Sequence, residues 1–275
     1  MISKNSIRKI LLFSLVFAIC ILSGSYPTKS DAKNLIGSHE PDVILGIFGG
    51  MGPEATANFY QLIVKLTPAK KDQDHIPTLI YSFPQIPDRT ASIMSGDTSI
   101  VSYLTEGLMR LEKAGASFIV IPCNTAHYYY DKMQKSISIP IINMISETAK
   151  EVTAKYPDVK KVGLLATTGT ISTGLYEKEF KALGIEVITP AKDLLENCVM
   201  KAVYSIKAGG NKQQCEDLLY TAGKDLEKNG ASVIVLGCTE IPLAFNPERA
   251  GVPVVSATQV LADRAIEKYK KMQKR

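Results

Sequence analysis

Short apolar runs alternate with longer segments of helical periodicity along most of the chain. The runs predict strands at 42–48, 78–83, 118–121, 140–143, 162–166, 186–188, 233–236 and 252–255. Apolar residues at spacings of three and four predict helices at 54–66, 100–114, 125–135, 172–183, 192–207, 212–229 and 258–271. Buried strands that alternate with amphipathic helices are typical of a parallel sheet covered on both faces. The pattern therefore predicts an α/β fold.

The second half of the chain repeats the first. Segments 111–123 (LEKAGASFIVIPC) and 226–238 (LEKNGASVIVLGC) align without gaps and share nine of thirteen residues. A glycine loop at 46–56 is answered by a small-residue loop at 163–173, in the same order along the chain. A repeat of this length indicates duplication. We predict two similar α/β domains at 33–158 and 159–275, with the last helix packed back on the first domain.

Residues 1–32 have the pattern of a cleaved signal peptide. Three basic residues precede a thirteen-residue, largely apolar stretch at 10–22, which is short for a membrane span and typical of a secretory signal. An uncleaved membrane anchor is the alternative. The segment holds four basic residues and one acidic residue, so the rest of the chain carries +2 of the total charge of +5. We expect an exported protein, periplasmic or secreted, that binds no nucleic acid and makes no stable membrane contact after cleavage.

Two cysteines occupy the same position in the two repeats. Cys123 and Cys238 each follow an apolar strand and precede a predicted helix, where a thiol has a lowered pKa. Ligands bind beyond the carboxyl ends of parallel strands, so the two thiols are expected to face one cleft. A matched pair of acid/base groups suits the inversion of a carbon that carries a proton. Burial in the core and a Cys123–Cys238 disulfide are the alternatives, and Cys198 and Cys215 are core residues or a structural bridge.

Five motifs resemble the aspartate/glutamate racemase family, most closely its aspartate and amino-acid racemase branch. They are GIFGGMGPEAT (46–56), IPDR (86–89), IPCNTAH (121–127), LLATTGTISTGLY (164–176) and VLGCTEIPL (235–243). The resemblance implies two flavodoxin-like domains related by a pseudo-twofold axis, with the active site in the cleft between them. It also implies racemisation without pyridoxal phosphate or metal, with Cys123 and Cys238 as the two acid/base thiols and a homodimer as one assembly.

The same resemblance suggests the groups that bind substrate. Arg89 matches the arginine that the family uses on a substrate carboxylate, and its alternative role is a surface salt bridge. Lys207 matches a second carboxylate-binding lysine, for which Lys201 and Lys212 are alternatives. His127 either tunes the first thiol or is an ordinary helix residue. The remaining expected substrate-binding residues supply hydroxyl, amide, carboxylate or backbone groups: Met51, Gly52, Asn124, Thr125, Thr168, Thr170, Thr239 and Glu240.

The sequence thus favours an amino-acid racemase that acts on aspartate, with glutamate or a broader set of amino acids as the alternative substrates. Two α/β lobes behind a signal peptide also suit an exported binding protein for small solutes, which would not need both thiols. Other chemistry at the same cleft, such as hydantoin racemisation, maleate isomerisation or arylmalonate decarboxylation, is a third hypothesis.

Overall fold

Two parallel sheets form the centre of the protein, one from each half of the sequence. The computed structural model describes residues 41–274, so the predicted signal peptide at 1–32 lies outside the described residues. The strand order is β2-β1-β3 in the first sheet and β5-β4-β6-β7 in the second, and every pairing is parallel. The strands are β1 (Leu45–Gly49), β2 (Thr78–Ser82), β3 (Phe118–Val120), β4 (Lys161–Ala166), β5 (Glu186–Ile188), β6 (Val233–Gly237) and β7 (Val254–Ser256). The predicted fold class is confirmed.

Helices connect the strands and cover the sheets. They are α1 (Pro53–Leu66), α2 (Arg89–Ser95), α3 (Ile100–Lys113), α4 (Tyr130–Lys135), α5 (Met144–Lys155), α6 (Thr168–Ser172), α7 (Leu175–Lys181), α8 (Lys192–Leu194), α9 (Lys201–Lys207), α10 (Lys212–Lys228) and α11 (Ala257–Gln273). A π-helical segment, Leu195–Met200, joins α8 to α9, so the predicted helix 192–207 is one continuous helical stretch. No helix within residues 41–274 combines the length and the apolar character that a membrane span requires.

The two sheets repeat one topology, with a difference at the last strand. Ile141 forms a single parallel bridge with Ile119 at the place that β7 fills in the second sheet. The strand predicted at 140–143 is reduced to this bridge. Asn143, two residues after the bridge, caps α5, where its side chain accepts bonds from the N–H groups of Ile145 and Ser146.

The helix that ends each half packs against the sheet of the other half. In α5, Ile145, Ala149 and Val152 lie in the apolar core of the second sheet, with Val162 and Leu164 of β4. In α11, the buried residues Ala257, Leu261, Ala262, Ala265, Ile266 and Tyr269 lie in the core of the first sheet. The two sheets with their helices belong to one compact unit. The boundary between 158 and 159 stays a prediction, because α5 precedes it and yet covers the second sheet.

Candidate active site

The segments that follow β1, β3, β4 and β6 contribute to one cavity between the two sheets. Cys123 follows β3 and Cys238 follows β6, and both line this cavity. Its other lining residues are Met51, Asp88, Arg89, Thr90, Asn124, Thr125, Thr167, Val203, Tyr204, Lys207, Thr239 and Glu240. The four cysteines that the structure describes are free thiols, so Cys123 and Cys238 do not form a disulfide. The placement brings one thiol from each repeat to the same space, as the duplication predicts.

Glu240 controls the surroundings of the second thiol. The Cys238 thiol donates to Glu240 Oε2 at 3.1 Å, and Thr239 Oγ1 donates to the same oxygen at 3.2 Å. The other oxygen, Oε1, accepts from the Gly52 N–H at 3.1 Å and lies 3.9 Å from Lys207 Nζ. Glu240 is 3% exposed, so these partners replace solvent around its carboxylate.

The pKa of Cys238 is raised well above its ordinary value, first by burial and then by the negative charge of Glu240. Lys207 opposes this shift with its positive charge. The expectation that a helix N-terminus lowers the pKa of this thiol is wrong. The helix after Cys238 is a 3₁₀ segment of three residues, Ile241–Leu243, whose small dipole is outweighed by burial and the carboxylate.

His127 supports the backbone beneath the first thiol. Its Nδ1 bonds to the Cys123 carbonyl oxygen at 2.9 Å, and its Nε2 accepts the N–H of Met144 at 3.1 Å. Nε2 can accept only when the proton resides on Nδ1, so the ring is neutral and Nδ1–H is the donor. Burial lowers the pKa of His127 to about 4. Both of these hydrogen bonds are with main-chain groups, and His127 does not line the cavity.

Asn124 and three threonines join the two halves beside the thiols. Asn124 Oδ1 accepts from the Tyr176 hydroxyl at 2.6 Å, while its Nδ2 is buried and has no hydrogen-bond partner within residues 41–274. The hydroxyls of Thr125, Thr167 and Thr170 form a triangle with sides of 3.0, 2.9 and 3.1 Å. Thr125 comes from the first half and the other two come from the second, so the triangle fixes the halves against each other.

Gly169 lies where the halves approach most closely beside this triangle. A Cβ added there would stand 2.6 Å from Thr90 Oγ1, 2.9 Å from Thr90 Cα and 3.0 Å from a Thr125 methyl carbon. Distances below 3.0 Å are not found for real Cβ atoms. Only glycine therefore allows α6 to contact the first half at this distance.

Two cations face the cavity. Arg89 is 8% exposed, and its guanidinium donates to the carbonyl oxygens of Ile86 and Pro87 and, at 3.3 Å, to that of Met51. Within residues 41–274 no carboxylate lies within 4 Å of it, so the alternative of a surface salt bridge is not what the structure shows. Burial alone would lower the pKa of Lys207, but the negative charge of Glu240 raises it above its ordinary value.

Most of the expected site residues meet at the cavity, and three do not. Thr168 is outside it and donates to Glu196 on the surface at 3.1 Å; Thr167, which caps α6, takes the place predicted for it. Thr170 lies behind the lining as part of the threonine triangle, and Gly52 acts through its bond to Glu240. Among the alternative lysines, Lys201 is exposed and Lys212 pairs with Glu54 on the surface. Five lining residues were not predicted: Asp88, Thr90, Thr167, Val203 and Tyr204. The first two flank Arg89 and Thr167 precedes Thr168, whereas Val203 and Tyr204 lie on α9 with no motif around them.

Comparison with known proteins places this arrangement in a family. The family described as Asp/Glu/hydantoin racemase matches residues 48–265, a span that includes both thiols, Arg89 and Lys207.

The chain belongs to the Asp/Glu/hydantoin racemase family.

Individual members support the assignment. The broad specificity amino-acid racemase RacX of Bacillus subtilis is 31% identical over 232 residues, which cover 82% of this chain and 98% of that protein. The structure of Picrophilus torridus aspartate racemase has a TM-score of 0.74 at 30% identity and covers 83% of this chain and 94% of that chain. Glutamate racemase isoform RacE1 of Bacillus anthracis shares the fold, with a TM-score of 0.64 at 22% identity over 86% of this chain and 83% of that chain. This family member is therefore an amino-acid racemase, an isomerase.

Proposed function

We propose that this racemase interconverts L- and D-aspartate by moving the α-proton between Cys123 and Cys238. The observation that carries the proposal is that the two thiols, one from each repeat, line the same cavity. One cysteine, as a thiolate, takes the proton from Cα and becomes a thiol. The other thiol delivers its proton to the opposite face of the carbanion and becomes a thiolate. Atoms and charge balance, and the reverse reaction exchanges the two roles.

The state of Cys238 in the structure suits one direction of this reaction. Its raised pKa and its bond to Glu240 hold the sulfur as a thiol, which is the form that donates a proton. That direction requires Cys123 to act as the thiolate. After the proton leaves, Lys207 is the cation that stabilises the thiolate of Cys238, because its charge acts on that sulfur.

The donor groups around the cavity can bind a substrate with two carboxylates. Arg89 has a guanidinium without a carboxylate partner in the described part of the chain, and a guanidinium binds a carboxylate through two parallel hydrogen bonds. Asn124 offers a buried N–H that has no partner within residues 41–274. Lys207 provides a second cation at the same cavity. We assign the α-carboxylate to Asn124 and the neighbouring threonines, and the side-chain carboxylate to Arg89 and Lys207.

Deuterium exchange tests the proposal directly. The protein is incubated with L-aspartate in deuterium oxide, and proton NMR and chiral chromatography follow the α-proton and the D-enantiomer. We expect both signals to change together, and Cys123→Ala and Cys238→Ala each to lower racemisation by at least about 100-fold. Cys198→Ala is the matched control, because Cys198 is buried in the apolar core of the second sheet, away from the cavity. Full activity in either site variant would refute the two-thiol mechanism.

A broad specificity racemase is the second candidate, favoured by the match to RacX over most of both chains. The same assay with glutamate and with neutral and basic amino acids separates the two. Turnover of aspartate at least about tenfold above every other amino acid supports the aspartate assignment. Comparable turnover of amino acids that lack a side-chain carboxylate replaces it with the broader activity.

We also propose that the protein is exported. The support is the basic start and the thirteen-residue apolar run within residues 1–32. Mass spectrometry of the protein from fractionated cells tests this. An intact N-terminus in the cytoplasmic fraction would contradict export.

A further inference from the structure

We infer that Tyr176 is a positioning residue for the racemase reaction, which sets the orientation of the Asn124 amide so that its N–H groups face the substrate. Tyr176 ends the motif LLATTGTISTGLY, and no role in the reaction follows from the two-thiol mechanism itself. The inference rests on the proposed function, because it takes Asn124 as a binding group for the α-carboxylate.

The geometry fixes both residues firmly. Tyr176 is 0% exposed on α7, and its ring stacks on Phe180 with centroids 6.3 Å apart. Its hydroxyl donates to Asn124 Oδ1 at 2.6 Å. Asn124 is 2% exposed and lines the cavity. Neither side chain can exchange this bond for water without opening the core.

The bond decides which end of the amide the cavity receives. A phenol hydroxyl can donate or accept, and here it donates to the amide oxygen, so the amide nitrogen, which only donates, is turned the other way. Asn124 Nδ2 is buried without a partner within residues 41–274, which is costly unless a ligand accepts its hydrogen bond. The flipped amide would present its oxygen to a carboxylate and repel it. Burial raises the pKa of the Tyr176 phenol, so the hydroxyl keeps the proton that it donates.

Tyr176 also packs against the end of β6, the strand that leads to the second thiol. A Cβ added at Gly237, the residue before Cys238, would stand 3.2 Å from the Tyr176 ring. Tyr176 belongs to the second half of the chain, while Asn124 follows Cys123 in the first half. One hydroxyl therefore aligns a substrate-binding group of one half with the strand that carries the thiol of the other half.

Four variants in a double-mutant cycle test the inference. Tyr176→Phe removes only the hydroxyl and keeps the ring in the core. Asn124→Ala removes the amide, the double variant removes both, and Tyr269→Phe is the matched control. Tyr269 is also a buried tyrosine whose hydroxyl has one side-chain partner, Gln273, but it lies on α11 away from the cavity. Each variant is assayed for kcat and KM with aspartate and for thermal unfolding.

We expect Tyr176→Phe to lower kcat/KM by about tenfold, mainly through a higher KM, which corresponds to one lost neutral hydrogen bond. In the Asn124→Ala background the same change should have no further effect, because Tyr176 acts through the amide. Tyr269→Phe should keep wild-type kinetics. Independent, multiplied losses in the double variant would overturn the inference, as would wild-type kinetics in Tyr176→Phe. Wild-type kinetics in Asn124→Ala would instead refute the proposed role of Asn124.

Discussion

The close contact at Gly169 predicts how much a larger side chain there would destabilise the protein. Gly169→Ala places a Cβ 2.9 Å from Thr90 Cα, whereas ordinary contact begins at 3.4 Å. The Thr90 side chain can rotate away, but its Cα is backbone, so α2 and α6 must separate by about 0.5 Å, the difference between these distances. Overpacking of this kind destabilises a protein by about 1–3 kcal/mol.

The same displacement should disturb the reaction. Thr125, whose methyl lies 3.0 Å from the added Cβ, belongs to the threonine triangle beside Cys123. A misplacement of 1 Å can reduce a rate by about 100-fold, so we expect kcat/KM to fall by about tenfold for half of that distance. The destabilisation should lower Tm by roughly 2–4 °C for each kcal/mol lost.

Gly223→Ala is the matched control for this experiment. Gly223 is also a buried helical glycine of the second half, but the nearest atom to an added Cβ is 3.5 Å away, on Phe245. Alanine is favoured over glycine within a helix by roughly 1 kcal/mol, so this variant should be as stable as the wild type or more stable. Calorimetry and the racemisation assay measure both variants. Equal Tm and activity in the two would refute the argument that the halves are in steric contact at Gly169.

Three further predictions concern charge at the site and beneath it. Glu240→Gln removes a negative charge that raises the pKa of Cys238, so alkylation of this thiol should begin at a lower pH. Lys207→Met removes a positive charge that lowers the same pKa, so alkylation should begin at a higher pH. Mass spectrometry of the Cys238 peptide measures both onsets, and shifts in the same direction would contradict the assignment. His127 has a pKa of about 4 in the folded protein against 6.5 ordinarily, so the unfolded chain binds more protons between these values. The folded state therefore loses stability as the pH is lowered through this window. Urea unfolding should show about 2 kcal/mol less stability at pH 5 than at pH 7 from this residue, a loss that His127→Gln should abolish; an unchanged slope would contradict neutral burial. Arg89→Met should lower kcat/KM by about 100-fold. Arg89→Lys should lower it by about tenfold, because lysine keeps the charge without the paired hydrogen bonds. Wild-type kinetics in both variants would exclude Arg89 from substrate binding.

Periodicity and the repeat were enough to predict the fold and the meeting of the two thiols. The strand order was not predicted, because a parallel pattern and a duplication do not show which strands are neighbours. The strand at 140–143 was overestimated, since its apolar residues are strand-like but only Ile141 pairs with the first sheet. Whether such a run pairs along its whole length depends on its neighbours in the fold, which its own sequence does not show.

The types of residue at the site were predictable, but the exact positions that line the cavity were less so. Thr167 and Thr168 are adjacent and identical, and which one faces the cavity depends on where α6 begins, a boundary that sequence gives only to within a few residues. The pKa of Cys238 was predicted in the wrong direction because the sequence shows neither how completely the thiol is buried nor that the Glu240 carboxylate lies 3.1 Å from its sulfur. Tyr176 escaped notice for the same reason, since its partner Asn124 is 52 residues away.

The exchange of α5 and α11 between the sheets has an implication for how such a chain arose. A protein with a single copy of the repeat would end in an amphipathic helix without a sheet of its own to cover, and one face of its sheet would be only partly covered. Two subunits that trade these helices solve both problems at once and bring one thiol each to a shared symmetric centre. Fusion of the two genes would then release each thiol from that symmetry, which allowed one to acquire the neighbouring carboxylate of Glu240 and the other the supporting imidazole of His127.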